Sequence, residues 1–540
     1  MPTAFAVSYG LKSFNFTWGA APSATRYQLL EDPDGPGPAP EAQAGGDLDA
    51  PAASLGVPLY ARLNATYRVR ACNDAGCSAL APALSVDPSR AIGYIKSHNA
   101  ESIDVFGYSP VLSADGNTLV VGAPQEGASA QGAFLAPPVD DNGALSSGAV
   151  YVFGRELGQW RQRAYLKASN SVAGMRFGSG LALSEDGSTL VVGAEWESTV
   201  ANRSGALYVF TRGSGWSWSE QAVFKASDAA ASQALGSALA LSADGNVLAA
   251  GAAASRVSGQ NRAGAVYVFA RTGSAWSERD KVVTTAAISN RRFGASVALS
   301  GDATTLAVGA SGDASAATTV NGDETDVTAT GAGAGFVFTR VGGAWSQQAY
   351  LKGSKLGPGD ALGLSIALAR DGNTLALGAR YDSRASTSAA LGSAPSAGAV
   401  YVFVRAASAW SEDAYLKGAN TETTDEFGAA LALSADGATL AVGASGEKSV
   451  AIGLGGDSSD NSLQYAGAAY VLRRGTGGWT QQAYVKASNT VTQAGFGETI
   501  GLSADGGTLA VGGYDNSLGV GVGADPSNTE AQFYGVVYLY

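Results

Sequence analysis

The chain has 540 residues, of which 15% are charged and 73 are glycine, and its formal net charge is −12. This length exceeds one ordinary core, so it predicts several domains or a large repeat array. The acidic balance disfavours nucleic acid as a partner, because an acidic surface repels phosphate backbones. No apolar run reaches the ~18 residues that would cross a bilayer. The first residues lack a signal-peptide pattern, which says nothing of where the protein resides.

Residues 1–88 differ from the rest, because they hold most of the prolines and both cysteines and lack the repeat that follows. Apolar residues alternate in FNFTWGAAPSATRYQLL, which predicts two β-strands, and YRVRACNDAGCSALAPALSV predicts two more joined by a turn. The spacing of Trp18, Tyr27 and Tyr67 resembles a fibronectin type III domain. The resemblance implies a β-sandwich over about 85 residues.

Cys72 and Cys77 bracket the turn-forming tetrapeptide NDAG. Facing positions beside a hairpin turn bring Cβ atoms near the separation that a disulfide needs. A disulfide is therefore favoured, and it implies an oxidising compartment. Two buried free thiols or half of a metal site are the alternatives, although His98 is the only histidine that could complete such a site.

A repeated unit fills the chain from residue 93 onward. Its motif LSADGNTLVVGA begins at Leu112 and returns, with small changes, at Leu183, Leu241, Leu299, Leu368, Leu433 and Leu502. Each unit divides into an FG-type strand, a TLxVGA strand, a GAVYVF strand and a W-S-x-x-A-Y-L-K strand. Period-two alternation without helical stretches predicts an all-β fold. Four strands repeated seven times predict a seven-bladed β-propeller over residues 89–540, with a solenoid as the alternative.

The two ends of the repeat array are complementary. The last unit stops at its third strand, from Gly535 to Tyr540, whereas the segment from Tyr94 to Ser97 matches the end of a fourth strand. The N-terminal strand is therefore expected to complete the last blade and close the ring.

An Asp-Gly pair follows the first strand of most units. Such a pair predicts a two-residue type I′ turn, which needs positive φ at both positions. Turn geometry alone thus explains the recurring aspartates Asp115, Asp186, Asp244, Asp371, Asp436 and Asp505. The fourth unit has Asp302-Ala303 instead and is expected to have the weakest hairpin.

The FG, the turn and the VGA together resemble FG-GAP repeats, the units of the integrin α-subunit propeller and of many bacterial extracellular propellers. The resemblance covers about 450 residues and implies an extracellular binding or adhesion role. Calcium-binding FG-GAP repeats carry D-x-D-x-D-G in this turn, but here it is S-A-D-G-N-T or similar. Because Ca²⁺ takes six to eight oxygen ligands, integrin-type cation sites are expected to be missing.

Long connections between the second and third strands are expected on one face of the propeller, opposite the short turns. Such loops on a rigid frame are frequent binding sites. Several are acidic and are candidates for local Ca²⁺ binding, against the simpler interpretation of solvated surface charge. The candidate ligands are Asp140, Asp141, Asp323, Glu324, Asp326, Asp457 and Asp460.

Aromatic residues flanked by carboxylates follow the VGA motif in three units. Trp196 lies between Glu195 and Glu197, and the pairs Tyr381-Asp382 and Tyr514-Asp515 occupy related places. Such groups can stack on a sugar or hold a cationic side chain, the alternative being ordinary surface aromatics. The tryptophan repeated in the fourth strands is interpreted as packing between blades rather than as a carbohydrate subsite.

The sequence offers little that supports catalysis, since it has a single histidine and no nucleophile or phosphate-loop motif. It favours a secreted or cell-surface binding module that recognises a protein or a glycan through the long-loop face. The alternatives are a self-assembling extracellular scaffold and a polysaccharide hydrolase or lyase that uses loop carboxylates. The fibronectin-like domain is expected on the short-turn side, away from that face.

Overall fold

A computed structural model describes residues 1–99, 101, 103–137, 141–527 and 534–540. These residues form β-strands joined by turns, with short 3₁₀ segments at Leu59–Ala61, Pro88–Ala91 and Ser214–Trp216. The predicted all-β class is confirmed. Within the described ranges, no helix is long and apolar enough to span a membrane.

The N-terminal residues form two small antiparallel sheets. One contains the strands Thr3–Gly10, Ser13–Gly19 and Ala52–Gly56. The other contains Ala42–Gln43, Arg26–Asp32, Thr66–Asn73 and Gly76–Cys77, with Leu84–Ser85 paired to Thr66–Asn73. Alternate residues of a strand face the same side, so Phe14, Phe16 and Trp18 pack together with Tyr27 and Tyr67 in one core.

The two cysteines of this region are joined. Cys72 and Cys77 lie opposite each other in neighbouring strands and form a disulfide. The bond predicted from the NDAG turn is confirmed.

The described residues form seven further antiparallel sheets, here numbered 1 to 7 in chain order. In sheets 1 to 6 four strands are neighbours in sequence order, and sheet 1 has the additional short strand Ala133–Phe134 beyond its fourth. The first strands are Tyr108–Leu112, Phe177–Leu183, Ala238–Leu241, Phe293–Leu299, Ser365–Leu368, Phe427–Leu433 and Thr499–Leu502. The second strands are Thr118–Ala123, Thr189–Ala194, Val247–Ala252, Thr305–Ala310, Thr374–Ala379, Thr439–Ala444 and Leu509–Asp515.

The outer strands follow the same order. The third strands are Ala149–Glu156, Ala206–Arg212, Ala265–Thr272, Ala334–Val341, Ala399–Ala406, Ala468–Gly475 and Tyr534–Leu539. The fourth strands of sheets 1 to 6 are Gln159–Leu166, Trp218–Phe224, Ala275–Val282, Ala344–Leu351, Ala409–Leu416 and Gly478–Val485.

Sheet 7 takes its fourth strand from the other end of the repeat array. Its third strand pairs with Gly93–Ile95, with Tyr538 opposite Tyr94. The first strands of neighbouring sheets contact one another in cyclic order, and that of sheet 7 contacts that of sheet 1. The sheets therefore form a closed ring, the arrangement of a β-propeller, and the predicted pairing of the two ends is confirmed.

The repeated glycines permit close contact between neighbouring sheets. Gly148, just before the third strand of sheet 1, has φ of 84° and forms a parallel bridge to Phe177 of sheet 2. A Cβ atom at Gly148 would overlap the backbone of Phe177. Glycine is needed here both for its positive φ and for the close approach of two backbones.

The turn between the first and second strands differs from the predicted type I′ hairpin. In sheet 1, Gly116 has φ of 63°, whereas Asp115 does not have positive φ. The Asp115 carboxylate instead accepts hydrogen bonds from Ser113 Oγ at 2.6 Å and from the Asn117 backbone at 3.0 Å. The aspartate thus stabilises a longer turn, and in sheet 4 Ala303 adopts the glycine conformation with φ of 54°.

Several long connections fold back along the outer edge of their own sheet. In sheet 1, Ala133–Phe134 pairs with the fourth strand, and in sheet 6 Leu454 bridges to Val485. Comparable bonds join Asn321 to Tyr350 in sheet 4 and Val522 to Ile95 in sheet 7. These connections cover exposed strand edges, which otherwise invite pairing with other chains.

The N-terminal sheets contact the short-turn side of the ring. Tyr60 donates a hydrogen bond to the carbonyl of Gly506 in the first turn of sheet 7. Ser89, in the segment leading into the ring, accepts a bond from the backbone of Leu454 at 3.1 Å, where the long connection of sheet 6 reaches this side.

Candidate functional site

A cavity of about 500 Å³ opens on the long-connection side, where the first strands of sheets 6, 7 and 1 begin. Its walls come from four sheets that are far apart in sequence. The lining side chains include Tyr108, Arg380, Glu426, Ser445, Tyr465, Gln493, Glu498, Thr499 and Tyr514. Glycines at several wall positions expose backbone at the surface of the cavity.

Arg380 organises the polar side of this cavity. Its guanidinium bonds to Glu498 through two nitrogens at 2.7 and 2.8 Å and to Glu426 at 2.6 Å. The three residues belong to sheets 5, 6 and 7, so the cluster joins three sheets near the ring axis. The two carboxylates raise the pKa of Arg380 against the opposing effect of burial. The cluster carries a net charge of −1 and is held rigidly by bidentate bonds.

Three tyrosines form the apolar side. Tyr465 is 47% exposed and Tyr108 is 39% exposed, whereas Tyr514 is half-buried. Burial raises the pKa of Tyr108 and of Tyr514, and the nearby carboxylate of Glu498 raises both further. Both phenols therefore remain protonated at neutral pH and can donate hydrogen bonds to a ligand.

The structure places the predicted ligand residue Tyr514 in this cavity and the others elsewhere. Tyr381 is 41% exposed, beside Arg380 but outside the cavity wall. The guanidinium carbons of Arg176 and Arg203 lie 3.5 and 4.0 Å from the ring centre of Trp196. Trp196 therefore already stacks with two arginine side chains of its own chain.

Glu195 lies next to this stacked tryptophan. Its carboxylate is 3.4 Å from a guanidinium nitrogen of Arg176, which itself stacks on Trp196. Glu195 therefore positions the arginine rather than presenting a free carboxylate.

The remaining three predicted ligand residues are buried carboxylates. Glu197, Asp382 and Asp515 are each at most 1% exposed. Each pairs with a lysine directly after the fourth strand, namely Lys225, Lys417 and Lys96. The three carboxylates are therefore buried in ion pairs and do not lie on the predicted ligand surface.

These pairs belong to a repeated feature that the sequence reasoning missed. The same pairing joins Glu126 to Lys167 in sheet 1, Asp313 to Lys352 in sheet 4 and Glu447 to Lys486 in sheet 6. Burial lowers the pKa of all six lysines, while the carboxylate partners of most oppose that shift. In sheets 1, 2, 4, 5 and 6 the carboxylate lies three residues after the end of the second strand, and the lysine lies seven residues after the repeated tryptophan, a coupled spacing that sequence alone displays.

Three sheets bury a second carboxylate beside this pair. Burial, together with the nearby charge of Glu126, raises the pKa of Asp104 to about 7. Burial likewise raises the pKa of Asp360 to about 7 and that of Asp425 to about 6. These groups are buried inside the sheets, so they make stability depend on pH and do not form a ligand surface.

The candidate calcium ligands are engaged by their own loops. Asp141 accepts bonds from the backbone of Ser129 and Gly143, and Asp323 and Asp326 accept bonds from Thr325 and Thr328. Glu324 bonds to Gln347, while Asp457 and Asp460 each accept one backbone N–H. Asp140 lies outside the described residues. Within the described part of the chain, no three carboxylate, histidine or cysteine side chains converge as metal ligands.

The repeated tryptophans lie between sheets. Trp410 donates its indole N–H to Gln348 of sheet 4 at 2.9 Å, and Trp276 donates to Gln221 of sheet 2 at 3.2 Å. Arg405 stacks on Trp410, with 5.4 Å between guanidinium carbon and ring centre. These contacts support the interpretation as packing between neighbouring units.

One family model matches part of the chain. A model described as the FG-GAP repeat matches residues 160–210 and 218–269, within sheets 1 to 3. No curated protein matches the chain in sequence.

Three solved structures match the chain over most of its length at low identity. The WD40 repeats of RRP9 are 10% identical, with a TM-score of 0.45, and the match covers 83% of this chain and 97% of that one. The periplasmic gluconolactonase of Pseudomonas aeruginosa is 14% identical, with a TM-score of 0.41 and coverage of 86% and 98%. The GH74 xyloglucanase of Xanthomonas campestris is 12% identical, with a TM-score of 0.41, and the match covers 77% of this chain but 53% of that enzyme.

Proposed function

We propose that this chain is an extracellular binding module that recognises a saccharide in the cavity lined by Tyr108, Arg380, Tyr465, Glu498 and Tyr514. The ring is a seven-bladed propeller of the FG-GAP type over residues 89–540. An adhesion role, in which the ligand belongs to a cell surface or matrix, follows from this assignment.

The observation that carries the proposal is the combination of exposed tyrosine rings with a rigid polar cluster. Saccharides present apolar ring faces and polar edges, which suit stacking on aromatic rings beside hydrogen-bonding groups. Tyr465 and Tyr108 offer ring surface, and Gln493, Thr499 and Glu498 offer polar atoms on the other side. A cavity of about 500 Å³ accommodates a small sugar unit.

The N-terminal region supports the extracellular assignment. We assign residues 1–88 to a fibronectin type III-like domain, since two sheets enclose an aromatic core that contains Trp18, Tyr27 and Tyr67. Tyr67 donates to the side chain of Glu31 at 2.5 Å, whereas the corner tyrosine of related sandwiches bonds to backbone. The disulfide between Cys72 and Cys77 fits an oxidising compartment.

An enzymatic alternative finds less support in the geometry. Hydrolysis of a glycosidic bond requires one carboxylic acid that can protonate the leaving oxygen. Both carboxylates of the cavity, Glu426 and Glu498, instead bond to the guanidinium of Arg380, so neither is positioned as a free proton donor to a leaving oxygen. The geometry therefore favours binding over turnover.

The test is a panel of immobilised cell-wall and matrix saccharides and matrix proteins, probed with the wild-type chain. We expect saturable binding to at least one saccharide. Tyr465→Ala should weaken this binding about tenfold, because losing an aromatic stacking surface costs about 1–3 kcal/mol when a nucleobase is the stacked ring. Tyr381→Ala is the matched control, since Tyr381 is similarly exposed but outside the cavity. Retention of a protein alone would favour a protein ligand, and concentration-dependent assembly without ligand would favour a scaffold.

A further inference from the structure

Sheet 3 departs from the buried ion pair of the other six sheets. Ser255 occupies the position of Glu126 and its equivalents, three residues after the second strand. Val283 occupies the position of the lysine, seven residues after Trp276. Carboxylate and lysine are thus lost together, so sheet 3 lacks the two long side chains that fill this position elsewhere.

A nearby ion pair partly replaces the missing one. Lys281 Nζ lies 2.6 Å from Asp228, which enters from the end of the fourth strand of sheet 2. Tyr267 also donates to Asp228 at 2.6 Å, and Gln233 donates to Tyr267 at 2.6 Å. The charge of Asp228 is therefore matched by Lys281. Ser255 is 3% exposed, and its hydroxyl lies beside that of Tyr267.

A cavity of about 430 Å³ occupies this place between sheets 2 and 3. Its polar lining consists of Asp228, Ser232, Gln233, Ser255, Arg256, Asn261 and Arg262. Ser255 lies at its wall, so its hydroxyl borders the cavity.

Two arginines give this cavity a positive charge in an otherwise acidic chain. Val257 and Gln260 pair in a small hairpin, and Arg256 and Arg262 flank it on either side. Arg256 Nε bonds only to the carbonyl of Gly259, at 3.1 Å. Neither guanidinium forms an ion pair with a carboxylate in the described ranges, and both side chains are exposed. Their planar donors remain free for an anion.

We propose that this cavity between sheets 2 and 3 binds a sugar unit that carries a carboxylate or sulfate group. Guanidinium groups recognise planar or tetrahedral oxyanions through paired N–H bonds. Ser255 and Gln233 are placed to bond the hydroxyls of the same ligand at the cavity wall. This site is separate from the cavity near the ring axis, and its test does not depend on the function proposed for that cavity.

Calorimetric titration of the full chain with sodium glucuronate, glucose 6-sulfate and glucose tests the proposal. We expect at least one acidic sugar to bind about tenfold or more tightly than glucose, because charge-assisted hydrogen bonds are roughly twice as strong as neutral ones. The two acidic probes distinguish a carboxylate from a sulfate. Equal binding of all three sugars, or binding of none, would overturn the proposal.

Variants locate the binding. The double variant Arg256→Gln/Arg262→Gln is expected to abolish the preference for the acidic sugar, whereas Arg279→Gln, an exposed arginine outside the cavity, leaves it unchanged. Ser255→Glu/Val283→Lys installs the ion pair of the other sheets and is expected to block binding by filling the cavity. Unchanged affinity for the acidic sugar in the double arginine variant would contradict the site. This result stands even if the variant Ser255→Glu/Val283→Lys fails to fold.

Discussion

The Nζ atom of Lys96 lies 2.5 Å from a carboxylate oxygen of Asp515, which joins the strand before the first repeat to the last sheet of the ring. Both side chains are at most 1% exposed. Tyr94 donates to the same carboxylate at 2.6 Å. The closure of the ring thus includes a buried charged contact in addition to the backbone pairing of Tyr94 with Tyr538.

Removing this lysine is expected to weaken the closure strongly. Lys96→Met leaves Asp515 buried without its charged partner, and breaking a buried pair on one side costs about 3–5 kcal/mol. The control is Lys281→Met, whose pair with Asp228 is 31% and 51% exposed and is worth at most about 1 kcal/mol. Thermal unfolding of the two variants measures the difference. Equal losses in melting temperature would contradict the structural importance of the buried closure contact.

A repeat glycine is expected to be essential where two backbones meet. In Gly148→Ala the new methyl group overlaps the backbone of Phe177 and the residue retains φ of 84°, so we expect a loss of more than about 3 kcal/mol. Gly158→Ala is the control, because Gly158 has φ of 77° but open space around it, and its cost is about 1 kcal/mol. Denaturant unfolding compares the two. A similar midpoint for both variants would refute the role of close packing at Gly148.

The repeat made most of the ring predictable from sequence. Strand patterns, the four-part unit and the missing last strand led to the closure that Tyr94 and Tyr538 make. The two N-terminal strands Thr3–Gly10 and Ala52–Gly56 were missed, since the latter is made mostly of small residues with a weak apolar signal. The type I′ turn was wrong because Asp115 acts through its side chain rather than through positive φ.

The site was less predictable for two physical reasons. In sequence, Glu197 and Asp382 resemble exposed loop residues. The structure shows instead that both carboxylates are buried and paired with lysines. Tyr108, Arg380 and Glu498 are separated by hundreds of residues and meet only because sheets 5, 6, 7 and 1 share the ring axis. Residues brought together by ring geometry carry no local sequence signal.

Buried carboxylates predict an unusual dependence of stability on pH. The folded-state pKa values of Asp104 and Asp360 are about 7, above the ordinary value of 3.8, so the folded chain binds more protons between these limits. Stability from these groups is therefore full below pH 4 and is lost as pH rises toward 7, by up to about 1.4 kcal/mol per pH unit for each group. Melting temperature should fall between pH 5 and 7.

Asp104→Asn tests this dependence directly. The amide mimics the neutral acid, so the fall in melting temperature between pH 5 and 7 should be smaller than in the wild type. Asp74→Asn, in the exposed turn between the cysteines, serves as the control and should leave the dependence unchanged. An Asp104→Asn variant with the wild-type profile would contradict the assignment.

Calcium is expected to have little effect on stability. A cation that binds only the folded chain must raise the melting temperature, but the carboxylates of Asp141, Asp323 and Asp326 bond to their own loops. Melting curves with millimolar Ca²⁺ and with a chelator should therefore coincide. A lower melting temperature in chelator would instead support the acidic loops as calcium sites.

Hydrogen exchange locates the proposed ligand site most directly. The wild-type chain is measured with and without the saccharide that it retains from the panel. We expect slower exchange in the segments around Tyr108 and Glu498, which line the cavity near the ring axis, and no change in the short turns on the opposite side. Protection confined to the short turns or to the N-terminal sheets would contradict the proposed binding face.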